Sequence, residues 1–328
     1  MLLRKKYRNC VEKRFLLWYN TISCYSHSEV SAMTYTFSDK VAGMKPSAIR
    51  EIFKSLSDKS IISFAAGNPS PLSFPIEQMR IVANEIFESD AVNAFQYGIT
   101  EGYPPLREHV AARLSKKFSI GGADDEVIIT TGGQQGIDLT AKVLCNRGDA
   151  VICEDPTFIG ALNAFRAHGL DTVGVPMRGD SIDPGELEAT VKKTKNAKLI
   201  YLIPTFQNPT GRTMPLDVRK ECLRIAQKYD LLILEDNPYG ELRFSGEDIP
   251  TIKSMDTEGR VVYCGSFSKI LSSGMRVGYV ICHNDIASKI AVCKQVNDVH
   301  TNLLCQMVCH KFMTKFDLDG HVKMIRQL

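Results

Sequence analysis

The sequence lacks any long hydrophobic run, since no stretch approaches the ~18 consecutive apolar residues that a membrane-spanning helix needs. It also lacks a marked excess of either charge, because 40 Lys and Arg face 37 Asp and Glu, for a net charge of +3. Such a balance gives no reason to expect nucleic acid or an anionic membrane as a partner. The 328 residues are 44% apolar, enough to bury a sizeable core in one large domain or two smaller ones.

Paired cysteines and paired histidines are missing as well. The ten cysteines are scattered, and the closest two, Cys305 and Cys309, have the wrong spacing for a CxxC redox or zinc motif. We interpret them as reduced thiols of a cytoplasmic protein. The seven histidines include no pair at HxxxH spacing, so no metal site is expected.

Residues 1–32 differ in composition from the rest of the chain. They hold six Lys or Arg and two acids, which leaves 34 basic and 35 acidic side chains in the remainder. The segment is predicted to be a disordered N-terminal extension, with Met33 as the true start; an organellar transit peptide is the alternative. Residues 33–60 are predicted to form an N-terminal arm, with a helix over 38–56, and a segment of a small domain.

From Val127 onward, short apolar runs alternate with helical patterns. Runs that are apolar on both faces are typical of strands buried in a mostly parallel sheet. The helices between them predict an α/β three-layer sandwich, whose ligands bind at the carboxyl ends of the strands. A large domain is predicted over 61–300 and the start of a small domain over 301–328. The seven predicted strands are 127–130, 150–153, 172–175, 199–203, 231–234, 261–264 and 277–281, and the clearest helices are 135–144, 158–168 and 216–229.

Residues suited to binding an anion, a cation and a carbonyl follow three of these strands. The glycine-rich turn at 131–136 leads into a helix, so its amides are available to a phosphate, although an ordinary strand-to-helix turn explains it equally well. Asp236 directly follows a buried strand and should face a cation, because an unpaired buried charge is costly. Lys269 lies near another strand end, where desolvation lowers its pKa and makes it nucleophilic toward carbonyls.

Together these loops satisfy the binding requirements of pyridoxal phosphate. Its aldehyde needs an amine, Lys269, and its ring nitrogen needs a buried carboxylate, Asp236. Its phenolic oxygen needs donors, Asn208 and Tyr239, and its ring face needs an aromatic platform, Phe158. Its phosphate needs a helix N-terminus, hydroxyls and a guanidinium, for which the candidates are Gly133, Gln134, Ser266, Ser268 and Arg276.

A different enzyme class shares one of these spacings. Ser266-x-x-Lys269 matches the serine-nucleophile pattern of penicillin-binding enzymes, but the companion motifs are absent from the sequence. That interpretation would also leave Asp236 unexplained.

The chain resembles the class I/II aminotransferases of the fold type I pyridoxal-phosphate superfamily, on motifs in family order between Ile61 and Ile281. The run over 266–278 is most similar to the branch of 2-aminoadipate and kynurenine aminotransferases and to the related domain of MocR-like regulators. The matching motifs are Gly67-Asn68-Pro69, YGITEGY at 97–103, TGGQQ at 131–135, EDPTF at 154–158, NPTG at 208–211, DNPY at 236–239, and SFSK at 266–269 with Arg276.

The resemblance implies a ping-pong transfer of an amino group from an amino acid to a 2-oxo acid, with Lys269, Asp236 and Tyr239 as catalytic residues. Lys269 would bond the cofactor and then move the proton between the substrate Cα and the cofactor C4′. A β-lyase or decarboxylase on the same scaffold would use the same lysine and aspartate. The ligand-sensing domain of a MocR-like transcription regulator is the alternative outside catalysis.

The resemblance also implies positions for substrate and partner. Gly67, Asn68 and Asn208 would lie beside the substrate. Tyr97 would reach the cofactor phosphate of the neighbouring subunit, which implies a homodimer with shared active sites. Phe158 stands where the branch often has tyrosine, so ring stacking is kept but a hydroxyl is lost.

The C-terminus departs from the family pattern. Relatives usually continue for another ~100 residues beyond Leu328, which complete the small domain and supply the arginine that binds the substrate α-carboxylate. Arg326 is too close to the end to replace that arginine. We therefore expect a truncated chain with an incomplete small domain and weak or absent transamination.

Overall fold

The computed structural model of the chain describes residues 35–42 and 67–328. The predicted extension at 1–32, most of the predicted arm and the first residues of the predicted large domain lie outside these ranges. Residues 35–42 belong to the first of two compact units and contain one helical turn, α1 (Asp39–Ala42), within the helix predicted over 38–56. All elements from residue 67 onward belong to the second unit.

Residues 125–283 contain one sheet of eight strands. The strands are β1 (Asp125–Thr130), β2 (Ala150–Asp155), β3 (Asp171–Arg178), β4 (Ser181–Ile182), β5 (Ala197–Leu202), β6 (Leu232–Asp236), β7 (Val261–Ser266) and β8 (Gly278–His283). Their order across the sheet is β1-β8-β7-β6-β5-β2-β3-β4. Strands β7, β6, β5, β2 and β3 run parallel, whereas β8 is antiparallel to both β7 and β1.

The predicted number of strands was one too low. All seven predicted strands are present, but the sheet has an eighth, β4, which pairs antiparallel with the end of β3 through Met177–Ile182 and Arg178–Ser181. A strand of two residues is too short to show the alternation of apolar and polar positions that identifies strands in a sequence.

Helices connect these strands or pack beside them, and the three helices predicted most clearly are confirmed as α5, α6 and α8. No helix in the ranges that the structure describes is long and apolar enough to cross a membrane. The helices are α2 (Ile76–Ser89), α3 (Ala91–Phe95), α4 (Pro104–Phe118), α5 (Gly133–Leu144), α6 (Ile159–Ala167), α7 (Pro184–Lys193), α8 (Leu216–Lys228), α9 (Asn284–Asn297), α10 (Leu303–Lys315) and α11 (Leu318–Ile325).

Apolar side chains fill a core on each face of the sheet, because successive residues of a strand point to opposite faces. Val151 and Leu234 pack on the face covered by α5, α6 and α9. Their neighbours Ile152 and Ile233 pack on the opposite face, against α7 and α8. Helices α4, α10 and α11 cover that opposite face beside β1, β8 and β7. The predicted three-layer α/β sandwich is confirmed.

Residues 301–328, predicted as the start of a small domain, form α10 and α11. Met307 and Val308 of α10 pack against α2 in one apolar cluster. Arg326, just after α11, donates two hydrogen bonds to the carbonyl of Glu241, at 2.8 and 2.6 Å. The domain boundary at residue 300 stays a prediction.

Candidate active site

Strand register brings the carboxyl ends of β1, β6 and β7 to one edge of the sheet. Thr130 and Ser266, the last residues of β1 and β7, both pair with Gly278, the first residue of β8. Asp236, the last residue of β6, pairs with Cys264 of β7. Residues that follow β1, β6 and β7 therefore lie at the same end of the sheet as residues that precede β8, because β8 runs in the opposite direction.

Asp236 is a buried carboxylate, 5% exposed. Tyr201 of β5 donates a hydrogen bond to its Oδ2 over 2.8 Å. Burial raises the pKa of Asp236 to about 6, and the bond from Tyr201 opposes this rise. No lysine, arginine or histidine of the described ranges contributes to this pKa. The cation that the sequence predicts for Asp236 is therefore not a side chain of these residues.

Lys269 lies in the turn after β7 and points toward Gly67. Its Nζ donates a hydrogen bond to the Gly67 carbonyl over 2.6 Å and lies 5.7 Å from the centre of the Tyr239 ring. Burial lowers the pKa of Lys269, and the positive charge of Arg276 lowers it further. A lysine in these surroundings gives up its proton more readily than an exposed one, as a nucleophilic amine must.

Tyr239 and Asn208 approach Lys269 from the loops after β6 and β5. The side-chain nitrogen of Asn208 donates to the Tyr239 hydroxyl at 3.5 Å. Burial raises the pKa of Tyr239 and the charge of Asp236 raises it further, so the phenol keeps its proton and can donate it in a hydrogen bond. A Cβ atom on Gly67 would lie 3.9 Å from both Lys269 Nζ and the Tyr239 hydroxyl, so these groups share one space.

The turn between β1 and α5 lies against Arg276. Gly132 has a φ of 74°, in the region that favours glycine, and a Cβ atom there would overlap the Arg276 guanidinium. Arg276 donates to the Thr131 carbonyl at 3.5 Å and to the Ser268 hydroxyl at 3.4 Å. The hydroxyl of Ser266 donates to that of Ser268 at 2.9 Å. Helix amides, hydroxyls and a guanidinium at one place are suited to an anion.

We call Gly132, Gly133, Ser266, Ser268 and Arg276 the anion cradle. Gln134 and Phe158 lie beside it. Gln134 donates to the Gly160 carbonyl over 2.9 Å, and a Cβ atom on Gly160 would overlap both the Phe158 ring and the Gln134 amide. The predicted aromatic platform is therefore a direct neighbour of the predicted phosphate site.

Asn68 and Tyr97 take no part in the contacts described for the cradle. Asn68 is exposed beside Gly67. Tyr97 is 81% exposed, and its ring makes an edge contact with the His300 ring at a centroid distance of 5.9 Å. Within one chain, Tyr97 is thus directed at solvent rather than into the cradle.

The family model for aminotransferase class I and II matches residues 59–313. The chain belongs to the class I and II aminotransferases. It is 40% identical over 293 residues to aromatic-amino-acid aminotransferase 1 of Thermococcus litoralis, covering 88% of this chain and 70% of that protein. It is 39% identical over 273 residues to 2-aminoadipate transaminase of Thermus thermophilus, covering 82% of this chain and 67% of that protein.

A solved structure gives the same result for the fold. Kynurenine aminotransferase of Pyrococcus horikoshii matches the chain with a TM-score of 0.85 at 40% identity, covering 89% of this chain and 73% of that one. The predicted family, the identity as a transaminase and the cofactor, pyridoxal phosphate, are confirmed. The weak or absent transamination expected of this chain stays a prediction.

The residues of this aminotransferase fit that cofactor. Asp236 is buried without a cationic side chain from the described ranges, which suits a protonated ring nitrogen. Lys269 has the lowered pKa that bonding to an aldehyde requires. The Arg276 guanidinium can lie against the turn only because Gly132 has no side chain, and this places a guanidinium beside the helix N-terminus that would hold the phosphate.

Sequence reasoning missed Tyr201, which holds the carboxylate in this aminotransferase. The signal was a phenol in the middle of the otherwise apolar run over 199–203. Because tyrosine is common in strands, that signal is weak.

Glu154 belongs to a matched motif but was given no role. It is 1% exposed, and its Oε2 accepts from the Ile203 amide at 3.1 Å and from the Gln207 side chain at 3.3 Å. Gln207 also donates to the Pro156 carbonyl at 2.8 Å. Burial raises the pKa of Glu154 to about 8. Glu154 thereby supports the loop that carries Asn208.

Arg219 supports the same loop from the other side. Its side chain is fully buried and donates to the Pro204 carbonyl at 2.8 Å, the Thr205 hydroxyl at 3.0 Å and the Met214 carbonyl at 3.0 Å. These bonds fix both ends of the segment that contains Asn208. The only signal in the sequence is an arginine on the otherwise apolar face of α8.

Proposed function

We propose that this aminotransferase transfers the amino group of aromatic or 2-aminoadipate-type amino acids to a 2-oxo acid, with its cofactor held by Lys269, Asp236 and the anion cradle. The observation that carries the proposal is that the loop after β7 and the end of β6 bring an amine and a buried carboxylate to one edge of the sheet. Lys269 donates to a carbonyl and Asp236 accepts from a phenol, so neither hydrogen bond neutralises the charge of the side chain.

The reaction needs one proton to stay on the ring nitrogen of the cofactor and another to be removed from the substrate Cα. When bound, pyridoxal phosphate supplies an aldehyde that bonds amines and a ring that withdraws electrons from the substrate Cα. Asp236 holds the proton on the ring nitrogen, because a buried carboxylate stabilises a cation beside it. Lys269 Nζ would act as the base at the substrate Cα and as the acid at C4′, since its lowered pKa makes the free amine available. Tyr239 and Asn208 donate hydrogen bonds to the phenolic oxygen.

The anion cradle and its neighbours hold the other end of the cofactor. The amides of Gly133 and Gln134 stand at the N-terminus of α5, where the helix dipole favours negative charge. Ser266, Ser268 and Arg276 supply the hydroxyls and the guanidinium that bind phosphate. In this proposal the Phe158 ring stacks on the face of the cofactor ring.

The proposed donor class is supported by the two relatives named above, an aromatic-amino-acid aminotransferase and a 2-aminoadipate transaminase. Gly67 and Asn68 are the residues that we place beside the donor carboxylate. Gly67 already contacts Lys269 Nζ through its carbonyl, so a substrate bound there has its Cα near the base.

We also propose that the active enzyme is a homodimer. Phe95, Tyr97 and Ile99 are 72%, 81% and 52% exposed and occupy every second position of a short stretch of the chain. Clustered exposed apolar side chains are typical of an interface, and a second copy of the chain would cover them. Tyr97 would then donate its hydroxyl to the phosphate held by the partner.

A cytoplasmic location is the remaining part of the proposal. It is supported by free buried thiols, which persist in a reducing compartment. Among the described residues, the free buried cysteines are Cys153, Cys222, Cys264, Cys282 and Cys309.

A single-turnover donor panel tests the proposed function. The chain of residues 1–328 is loaded with pyridoxal phosphate and mixed in turn with kynurenine, phenylalanine, 2-aminoadipate, leucine and aspartate, and the products are identified by mass spectrometry. We expect the 2-oxo acids of the aromatic and 2-aminoadipate donors, up to one equivalent of bound cofactor. Release of carbon dioxide or of a β-substituent instead would assign a decarboxylase or a β-lyase. A variant with Lys269→Ala is the control for uncatalysed exchange.

A further inference from the structure

Side chains of α9 and of the segment after it form hydrogen bonds with the turn between β1 and α5. The Thr131 hydroxyl donates to Asp298 Oδ2 over 2.7 Å, and the Gln135 side chain donates to the same oxygen over 2.8 Å. The Thr131 amide donates to the Gln135 side-chain oxygen over 2.7 Å. Asp298 thus binds both ends of the turn that contains Gly132, Gly133 and Gln134.

Lys294 completes this cluster. Its side chain is fully buried, and its Nζ lies 2.8 Å from Asp298 Oδ1 and 2.9 Å from Oδ2. It also donates to the Gln135 side-chain oxygen at 2.9 Å and to the Thr301 hydroxyl at 2.9 Å. A fully buried ammonium is retained only when every proton has an acceptor, and here each does.

The cluster reaches the anion cradle through the backbone of the turn. The Thr131 hydroxyl donates to Asp298, and the Thr131 carbonyl accepts from Arg276. One residue therefore joins the buried ion pair to the guanidinium. A carboxylate near a phosphate site repels the ligand on charge alone. The presence of Asp298 is therefore explained by its acceptor geometry, with Lys294 balancing its charge.

We propose that Lys294 and Asp298 form a positioning pair that presets the turn at 131–135 for the cofactor phosphate. The proposal rests on the proposed function, since it takes the anion cradle as the phosphate site. The pair touches neither cofactor nor substrate. It sets how well the amides of Gly133 and Gln134 and the guanidinium of Arg276 converge on one anion.

Comparing two ligands that differ only in the phosphate tests this. The dissociation constants of pyridoxal phosphate and of pyridoxal are measured for the wild type and for Asp298→Asn. We expect the variant to bind pyridoxal phosphate about tenfold more weakly, which corresponds to the loss of one well-placed hydrogen bond. We expect it to bind pyridoxal as tightly as the wild type does. A purely structural role would weaken both ligands alike, and that outcome would overturn the proposal.

Asp125→Asn is the matched control. Asp125 starts β1, at the opposite end from the turn, and accepts a hydrogen bond from the buried Lys253 at 2.7 Å. The control also deprives a buried lysine of a charged partner, and we expect it to lower stability without changing the ratio of the two affinities. A changed ratio in the control would show that the effect is not specific to the turn.

Hydrogen exchange of the cofactor-free protein gives a second measurement that does not depend on binding. In Asp298→Asn we expect faster exchange of the amides at 131–136, and in Asp125→Asn we expect wild-type exchange there. Unchanged exchange in Asp298→Asn would overturn the positioning role even if the proposed function holds. If the wild type bound neither ligand, the proposed function would fail, while exchange would still decide whether the pair orders the turn.

Discussion

Tyr201 donates its phenolic hydrogen to Asp236 Oδ2 over 2.8 Å, within the sheet and away from solvent. The donor lies on β5 and the acceptor at the end of the adjacent strand β6. Burial favours the protonated carboxyl, whereas the donated hydrogen bond favours the charged form. The hydrogen bond from Tyr201 therefore offsets part of the effect of burial on Asp236, and no side chain of the described ranges forms an ion pair with this carboxylate.

Replacing Asp236 is expected to stop chemistry while sparing attachment of the cofactor. In Asp236→Asn the charge facing the ring nitrogen is gone, so single-turnover formation of the 2-oxo acid should slow about a hundredfold or more. Tyr201→Phe is the graded control, since it keeps the carboxylate and removes one hydrogen bond, worth ~1 kcal/mol. Rates in the order wild type, Tyr201→Phe, Asp236→Asn are expected from rapid-quench measurements. Wild-type rates in Asp236→Asn would contradict the role of the carboxylate.

Lys269 is expected to be the site of covalent attachment. Reduction of the loaded wild type with borohydride should add the mass of one reduced cofactor to the peptide that contains Lys269. Lys269→Ala should gain no such mass, whereas Lys289→Ala, which removes an exposed lysine of α9, should behave as the wild type. Peptide mapping by mass spectrometry makes the comparison. Label on another lysine of the wild type would show the assignment to be wrong.

Gly132 and Gly211 offer a matched pair of glycines with positive φ. Both have φ near 70°, at 74° and 70°, but a Cβ atom on Gly132 would overlap Arg276, whereas one on Gly211 would meet open space. Alanine at either position should cost about 1–3 kcal/mol of stability through backbone strain. Only Gly132→Ala should also weaken binding of pyridoxal phosphate. Thermal unfolding and cofactor titration separate the two effects, and equal affinities in both variants would argue against the cradle.

Glu154 is expected to make stability depend on pH. Its pKa in the folded protein is raised from 4.5 to about 8, so the folded state holds this proton more tightly than the unfolded state. Wild-type stability should therefore fall as pH rises through that interval. Glu154→Gln stays neutral at every pH. Its free energy of unfolding should therefore rise relative to that of the wild type as the pH increases from 4.5 to about 8.

Urea unfolding of the cofactor-free proteins at several pH values makes this measurement. Glu247→Gln, which changes an exposed glutamate, should run parallel to the wild type. If the curves of Glu154→Gln and the wild type were also parallel, Glu154 would be ionised in the folded protein over the whole range.

The sheet could be predicted well because its strands are apolar on both faces. Two features of the sheet could not be predicted from the sequence. The strand Ser181–Ile182 is too short for any periodicity. The antiparallel sense of β8 has no signature either, since an apolar run has the same pattern in both directions, and its sense is set by pairing with β1 and β7.

The residues that we propose to face the cofactor could be identified from the sequence, and the residues behind them could not. Lys269 and Asp236 stand out because charges at the ends of buried strands need an explanation. Lys294 and Arg219 lie within helices, where charged residues are normally solvated, so only the folded structure shows that both are buried. The roles of Asn68 and Tyr97 stay predictions, because they concern a substrate and a second subunit.

The segment between β7 and β8 carries both Lys269 and Arg276, and its base is closed by the pairing of Ser266 with Gly278. One loop of the backbone therefore carries both the amine and the guanidinium. Asp236 lies at the end of β6, so the position of the amine relative to the carboxylate depends on the pairing of β6 with β7.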